Sequence, residues 1–483
     1  MNPYLVLGIV LGYFLILIGF SWVTSRNADT NAFFTGNRKS PWYLVAFGMV
    51  GATLSGVTFI SVPGEVGNSA FSYFQFVLGN IVGYWIVAAV LLPLYYRMNL
   101  VSIYTFLEQR FGENSYRTGS FFFLISKLIG AAFRLFLVAG VLQIAFFDAF
   151  KIPFALTVTV TIGLIWVYTF KGGIKTIVWT DTFQTLFLVS AVIFTITAIS
   201  KSFGWNAGTL IKEIINDPNS QVFFWDWRTG NNFFKQFFAG MFITIVMVGM
   251  DQDMMQKNLT CRNIWDAQKN MLVFSVSFLV TVFLFLSLGA LLYIYAKNKG
   301  ISLPESTDDL YPMLAMNYFG LPVAIAFLIG IIAAAYSSAD SALTALTTSF
   351  SVDFLKVEKY DEIKRKKIKK WSHIMFSLLL IVVILIFKAI NNESIVVAVF
   401  RVAGYTYGPI LGLFVFGMYS KRIVKDKWVP LVAIISPIIC YFISKYSDVI
   451  FNGYRFGFEL LIVNGLLTFC GLWLISGKCL ATD

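Results

Sequence analysis

The run Gly172-Gly173-Ile174-Lys175-Thr176-Ile177-Val178-Trp179-Thr180-Asp181 sets a carboxylic acid just inside an apolar stretch that continues toward residue 200. Such a stretch can cross a hydrocarbon core of about 30 Å, which takes about 20 residues of helix. A carboxylate at that depth is costly and is kept for a partner, a cation being the obvious one. A second polar cluster, Ala333-Ala334-Ala335-Tyr336-Ser337-Ser338-Ala339-Asp340-Ser341, interrupts another apolar span. Together the two describe a membrane protein that holds cations halfway across the bilayer.

Apolar runs of this length recur along all 483 residues, 58% of which are hydrophobic and only 13% charged. No soluble domain of this size has that balance. The chain is therefore read as an all-α integral membrane protein, a single transmembrane domain over 1–483. The expected spans, thirteen in all, are 3–24, 42–67, 71–96, 118–147, 152–170, 176–200, 233–256, 268–296, 310–350, 371–389, 394–420, 427–446 and 456–477. The ninth is too long for one simple helix and should include an external amphipathic piece before Gly320-Leu321-Pro322. The first run lacks a basic leader and a cleavage site, so it reads as a retained span.

The net charge of +12 raises the thought of nucleic acid, but the basic residues concentrate in alternate loops, which is a topology signal. Arg26, Arg38 and Lys39 form one such group, as do Arg97, Arg110 and Arg117, Lys257, Arg262 and Lys269, and the run Lys364-Arg365-Lys366-Lys367-Ile368-Lys369-Lys370. The other loops are balanced or acidic, as in Glu305-Ser306-Thr307-Asp308-Asp309. This alternation puts the N-terminus outside and the C-terminus in the cytoplasm of a cell's inner membrane. The run 364–370 also suits anionic lipid. Cys261, Cys440, Cys470 and Cys479 show no metal-ligand spacing, and the lone His373 reads as structural.

Transporters often place solute and ions at helices interrupted near the midplane, with inverted halves. The second span carries Gly48-Met49-Val50-Gly51-Ala52-Thr53-Leu54-Ser55-Gly56-Val57-Thr58, then Pro63-Gly64. It reads either as an unwound segment offering carbonyls to a cation or as a small-residue packing seam. The seventh span ends on a second polar cluster, Asp251-Gln252-Asp253, five spans later. That spacing suits a five-plus-five inverted repeat (42–200 and 233–420), with 3–24 leading and 427–477 trailing. Ser337, Asp340 and Ser341 share one helical face, with Ser338 adjacent, and hard oxygens suit hard cations. A lone serine would more simply bond back along its own helix. Arg134, mid-span, can capture a carboxylate bidentately or pair with Asp251. Lys127 is expected to snorkel to the inner surface.

These residues resemble the sodium:solute symporter family over nearly the whole chain. The most specific match is Gly172-Gly173 through Val178-Trp179-Thr180-Asp181-Thr182-Phe183-Gln184. Tyr104-Thr105-Phe106-Leu107-Glu108-Gln109-Arg110-Phe111, Asp251-Gln252 with Gln256-Lys257, and Tyr407-Gly408-Pro409-Ile410-Leu411-Gly412 also fit. The resemblance implies a LeuT-type core, alternating access and Na⁺ coupling, with one or two Na⁺. It carries a sodium site onto Gly51, Leu54, Ala334, Ser337 and Ser338. A second sodium site would involve Asp181, Ser337 and Ser341, with Asp340 where some members have a small hydroxyl residue. For the solute, Thr53, Ser55, Thr58 and Arg134 look like the carboxylate-holding set of bacterial sialic acid carriers. Gln75 and Asp251 are further candidates for contact. Val57 and Thr58 stand where sugar carriers have Glu-Gln.

The expectation is a Na⁺-coupled symporter of a small organic anion such as a sialic acid, functional as a monomer. Two Na⁺ with one carboxylate would move net charge, worth roughly 2.3 kcal/mol per charge per 100 mV. A symporter of a neutral sugar or amino acid is the alternative. A channel fits poorly with asymmetric broken helices, a sensor with a seven-residue tail Gly477–Asp483, and an enzyme with the absence of a His, Cys or metal constellation.

Overall fold

The computed structural model describes residues 3–25, 36–145, 147–390, 395–454 and 456–479. Arg26, residue 394 and the last four residues of the tail lie outside them. Among the described residues, eight helices are long and apolar enough to cross a bilayer, or nine if one sharply bent pair counts as a span; Trp42–Thr53, Phe154–Val167, Gly408–Tyr419 and Leu460–Ile475 are shorter apolar helices.

The chain begins with α1 (Pro3–Ser25), then an interrupted pair, α2 (Trp42–Thr53) and α3 (Gly56–Ser69). Between them Leu54 (φ −78°, ψ 73°) and Ser55 (φ −67°, ψ 172°) leave helical geometry. Ser and Thr offer the backbone competing hydrogen bonds and Gly resists helix least cheaply, so the break falls where these residues crowd. Next, α4 (Tyr73–Ile86) passes through a π turn, Val87–Leu91, into α5 (Leu92–Arg97). The short α6 (Thr105–Arg110) precedes the 33-residue α7 (Glu113–Ala145).

Helical residues then run from Phe154 to Phe203 (α8). A straight helix would hold Thr161 and Asp181 about 30 Å apart. Yet Thr161 bonds to Tyr336, and Asp181 to the adjacent Ser337. The run therefore doubles back between Thr169 and Asp181, an interval that contains Gly172-Gly173. Its two arms stand in for the expected spans 152–170 and 176–200.

After α9 (Ala207–Asn216) comes a second interruption. The helix α10 (Phe233–Thr244) ends in a π turn, Ile245–Gly249, and Met250-Asp251 breaks the path before α11 (Gln252–Asn258), which turns away by 69°. There follow α12 (Ile264–Lys299), α13 (Leu310–Asn317) and α14 (Leu321–Ser349). The long ninth span is thus divided just ahead of Gly320-Leu321-Pro322, Gly320 taking φ 81°. Then come α15 (Glu362–Ile390), α16 (Ile395–Thr406) and α17 (Gly408–Tyr419), the last two parted at Tyr407. This third interruption is not anticipated in the sequence reading. Helices α18 (Val429–Lys445), α19 (Ser447–Ile450) and α20 (Leu460–Ile475) follow, and two short antiparallel strands, β1 (Arg422–Val424) and β2 (Ser476–Cys479), tie the end of the chain to the segment after α17.

At the centre stands α14, buried on every face from Ile331 to Ser349. Its hydroxyls and Asp340 must therefore find partners within the protein. The periphery is apolar, with Leu15 69%, Phe194 60% and Val276 54% exposed, as suits a hydrocarbon surround. Where α4 meets α10, Gly79 and Gly240 let the backbones touch: a Cβ on Gly79 would lie 1.9 Å from Phe237 O, and one on Gly240 2.0 Å from Phe76 O. Small residues at close crossings are the usual packing device where lipid supplies no hydrophobic drive between helices. His373 sits between two hydroxyls, Nε2 3.2 Å from Thr169 Oγ1 and Nδ1 2.9 Å from Thr347 Oγ1, and so joins α8, α14 and α15.

Candidate functional site

The three interruptions face one cavity of about 1090 Å³, counting its open mouth. Thr53, Ser55 and Thr58 reach it from the α2–α3 break, Lys127 and Arg134 from α7, and Asp251 from the α10–α11 break; Phe76, Tyr84 and Phe278 form an apolar wall. Few polar groups set in a mostly apolar wall is the usual composition of a small-molecule site.

The backbone groups freed at Gly249-Met250-Asp251 are held by phenols. Tyr95 Oη donates to Gly249 O at 2.7 Å, and Tyr104 Oη to Met250 O at 2.8 Å. Asp251 caps α11, its Oδ1 accepting from Asp253 N at 2.9 Å and Met254 N at 3.4 Å. Its Oδ2 accepts from Tyr407 Oη at 2.6 Å. Lys127 Nζ lies 3.3 Å from Asp251 Oδ1 and 2.6 Å from Asp253 Oδ2. Lys127 is thus buried and does not reach the membrane surface, because two carboxylates at the break hold it.

Arg134 also faces the cavity and forms no salt bridge among the described residues. Asp251, its expected protein partner, is taken by Lys127 and Tyr407. On the wall of the same cavity, Thr53 Oγ1 is buried with no hydrogen-bond partner among the described residues. Gln75 lies elsewhere: its Nε2 donates to Asn231 O at 2.8 Å and its Oε1 accepts from Phe224 N at 3.1 Å. The amide braces the segment ahead of α10, and the cavity wall does not include it.

A second cluster lies between α2, α8, α11 and α14. Ser338 Oγ donates to Ala52 O at 3.3 Å, joining α14 to the last turn before the α2–α3 break. Leu54 and Ala334 are buried beside this contact. Gly51 packs so closely on α8 that a Cβ would lie 2.2 Å from Thr185 Oγ1. The candidate residues Gly51, Leu54, Ala334, Ser337 and Ser338 thus belong to two segments that touch. Asp181 has both oxygens engaged: Ser337 Oγ donates to Oδ1 at 2.6 Å, and Lys257 Nζ to Oδ2 at 2.7 Å. Ser341 Oγ donates to Asp340 Oδ1 at 3.3 Å. Lys257, grouped above with the loop charges, is a buried ion-pair partner. The cation beside Asp181 in this structure is therefore a side chain of the protein.

Sequence reasoning passes over Tyr95, quotes Tyr104, Asp253 and Tyr407 only as parts of motifs without a role, and misplaces Lys127 and Lys257. Two signals were present. Tyr407-Gly408-Pro409 puts a helix-starting proline in mid-span, and Asp253 and Lys257 stand four residues apart on one helical face.

Among known proteins, the chain is 26% identical over 411 residues to the Sodium/sialic acid symporter NanT of Aliivibrio fischeri, spanning 82% of this chain and 79% of the relative. It is 24% identical to the Sodium/sialic acid symporter SiaT of Proteus mirabilis, over 95% of this chain and 94% of the relative. The fold matches that of a solved Na⁺-coupled sialic acid symporter in a substrate-bound outward-open state, with a TM-score of 0.82 at 19% identity, covering 98% of this chain and 99% of the other. The profile of the Sodium:solute symporter family matches residues 33–426, and the chain belongs to that family.

Proposed function

We propose that this protein is a Na⁺-coupled symporter that imports a small organic anion, a carboxylate such as a sialic acid, by alternating access. The observation that carries the solute class is Arg134. A guanidinium that faces the cavity and forms no salt bridge among the described residues, the nearby Asp251 being held by Lys127 and Tyr407, is matched by the carboxylate of a guest. Thr53, Ser55 and Thr58 would hold the same end of the solute, and Asp251 would shape the floor through Lys127 and Tyr407. One sodium ion would sit where Ser338 meets the carbonyls of the α2–α3 break, among Gly51, Leu54, Ala334 and Ser337. Hydroxyl and carbonyl oxygens replace lost hydration there without adding net negative charge.

The larger architecture follows the same reading. Counting the shorter apolar helices and the two arms of α8 as spans gives thirteen, in a LeuT-type arrangement with the α2–α3 and α10–α11 breaks five spans apart. The basic loops then lie on the cytoplasmic side, with the N-terminus outside and each chain working as a monomer.

The deciding experiment is uptake of radiolabelled N-acetylneuraminate into proteoliposomes under an inward Na⁺ gradient. Uptake should cease when K⁺ replaces Na⁺, and a neutral hexose should neither enter nor compete. Undiminished uptake in K⁺ overturns sodium coupling, and equal competition by the hexose overturns the carboxylate role of Arg134.

A further inference from the structure

Four side chains make up the second sodium position that the family resemblance suggests: Asp181, Ser337, Asp340 and Ser341. Each is at most 2% exposed. The Asp181 carboxylate is already neutralised by Lys257, whose Nζ lies 2.7 Å from Oδ2 while Ser337 occupies Oδ1. The charges of Asp253 and Asp340 also act on Lys257. The Asp181 carboxylate at this position therefore already holds an ammonium group, itself a compact monovalent cation with three donors. A sodium ion entering here would have to displace that ammonium and break its buried ion pair with Asp181, an outcome buried ion pairs resist strongly. Lys257 is delivered from α11, the short arm that leaves the α10–α11 break at 69°.

We propose that Lys257 is a tethered substitute for the second sodium ion, filling the cation position of Asp181, Ser337, Asp340 and Ser341, so that each turnover carries a single Na⁺. The inference rests on the sodium-symport reading for the first ion, at Ser338 and the α2–α3 break. It changes the electrical character of transport. One Na⁺ travelling with one monocarboxylate moves no net charge, so the membrane potential does no work on the loaded carrier. Of the one or two Na⁺ that the sequence resemblance implies, this selects one. Removing the ammonium but keeping its length, as in Lys257→Met, leaves the buried Asp181 carboxylate, beside the hydroxyl of Ser337, with a position suited to a hard cation.

The test counts radiolabelled Na⁺ bound at saturation by the purified full-length chain, and measures N-acetylneuraminate uptake with and without an interior-negative valinomycin potential. Wild type should bind one Na⁺, lost or weakened in Ser338→Ala, and its uptake should ignore the potential. Lys257→Met should bind two Na⁺, show sigmoidal Na⁺ activation and respond to the potential, and Asp181→Asn with Lys257→Met should return to one. Two ions bound by wild type, or one ion still bound by folded Lys257→Met, overturns the proposal. If Lys257→Met fails to fold, the wild-type count and its response to potential decide alone. A wild-type chain that binds no Na⁺ sinks the symport reading instead, so the two failures are distinct.

Discussion

Replacing Ser338 by alanine removes a hydroxyl from the contact between α14 and the α2–α3 break and little else. The side chain is 3% exposed, and its Oγ donates to Ala52 O at 3.3 Å, so the hydroxyl and carbonyl oxygens lie side by side at the break. A hydrogen bond or dipole contact to a full charge contributes about 1.5–3 kcal/mol, against about 1 kcal/mol for a neutral pair. Loss of one such ligand should therefore raise the half-saturating Na⁺ concentration roughly 10- to 150-fold, at about 1.4 kcal/mol per decade. The helix itself should tolerate the change, since alanine is the better helix former. The assay is solute uptake into proteoliposomes across a Na⁺ titration, with binding of radiolabelled Na⁺ to the purified chain as a second measure and thermal unfolding as the control for folding. A half-saturating Na⁺ concentration unchanged within threefold, in a chain of normal stability, would show that no coupling ion touches this hydroxyl.

Other outcomes follow from the cavity and the packing. Arg134→Ala should raise the KM for a carboxylate solute by about 10- to 150-fold, the same range of charged hydrogen bonds, while Arg134→Lys should recover part of the loss. Equal values for the two variants would exclude capture of the solute by a cationic side chain. Gly240→Ala would push a methyl to within 2.0 Å of Phe76 O. The contacted atom is backbone and cannot swing aside, so an overpacking cost of about 1–3 kcal/mol or more should appear as a lowered unfolding midpoint in detergent. Gly163→Ala, with nothing within 4 Å of the new atom, should leave that midpoint in place. A drop of the same size in both would remove close helix packing as the cause.

Much of the arrangement along each helix is legible from the order of residues, because local chemistry dictates it. The Gly, Ser and Thr cluster at 51–58 marks a break that falls at Leu54-Ser55. Ser337, Asp340 and Ser341 share a helical face, and they are buried together. The overlong stretch 310–350 divides ahead of Gly320-Leu321-Pro322 as its length demands. What the order of residues does not carry is pairing between distant helices. Lys127 and Lys257 are charges near the ends of apolar runs, which hydropathy assigns to the water boundary. Only the chain's path past Asp251, Asp253 and Asp181 makes them interior groups. Gln75 shows the converse. A polar residue in an apolar span looks like a solute contact, yet its amide satisfies the backbone of residues 224 and 231. Tyr407 lies in a span whose apolar content hides its proline signal.

The phenol of Tyr407 has a mechanical consequence. It belongs to the joint between α16 and α17, and it grips Asp251, which belongs to the joint between α10 and α11. A bolt through two hinges couples their angles: swinging either helix arm alone breaks a buried bond to a carboxylate, costing about 1.5–3 kcal/mol. A rocking motion that turned both arms together would keep that bond intact and so would cost less than one that moved either arm alone.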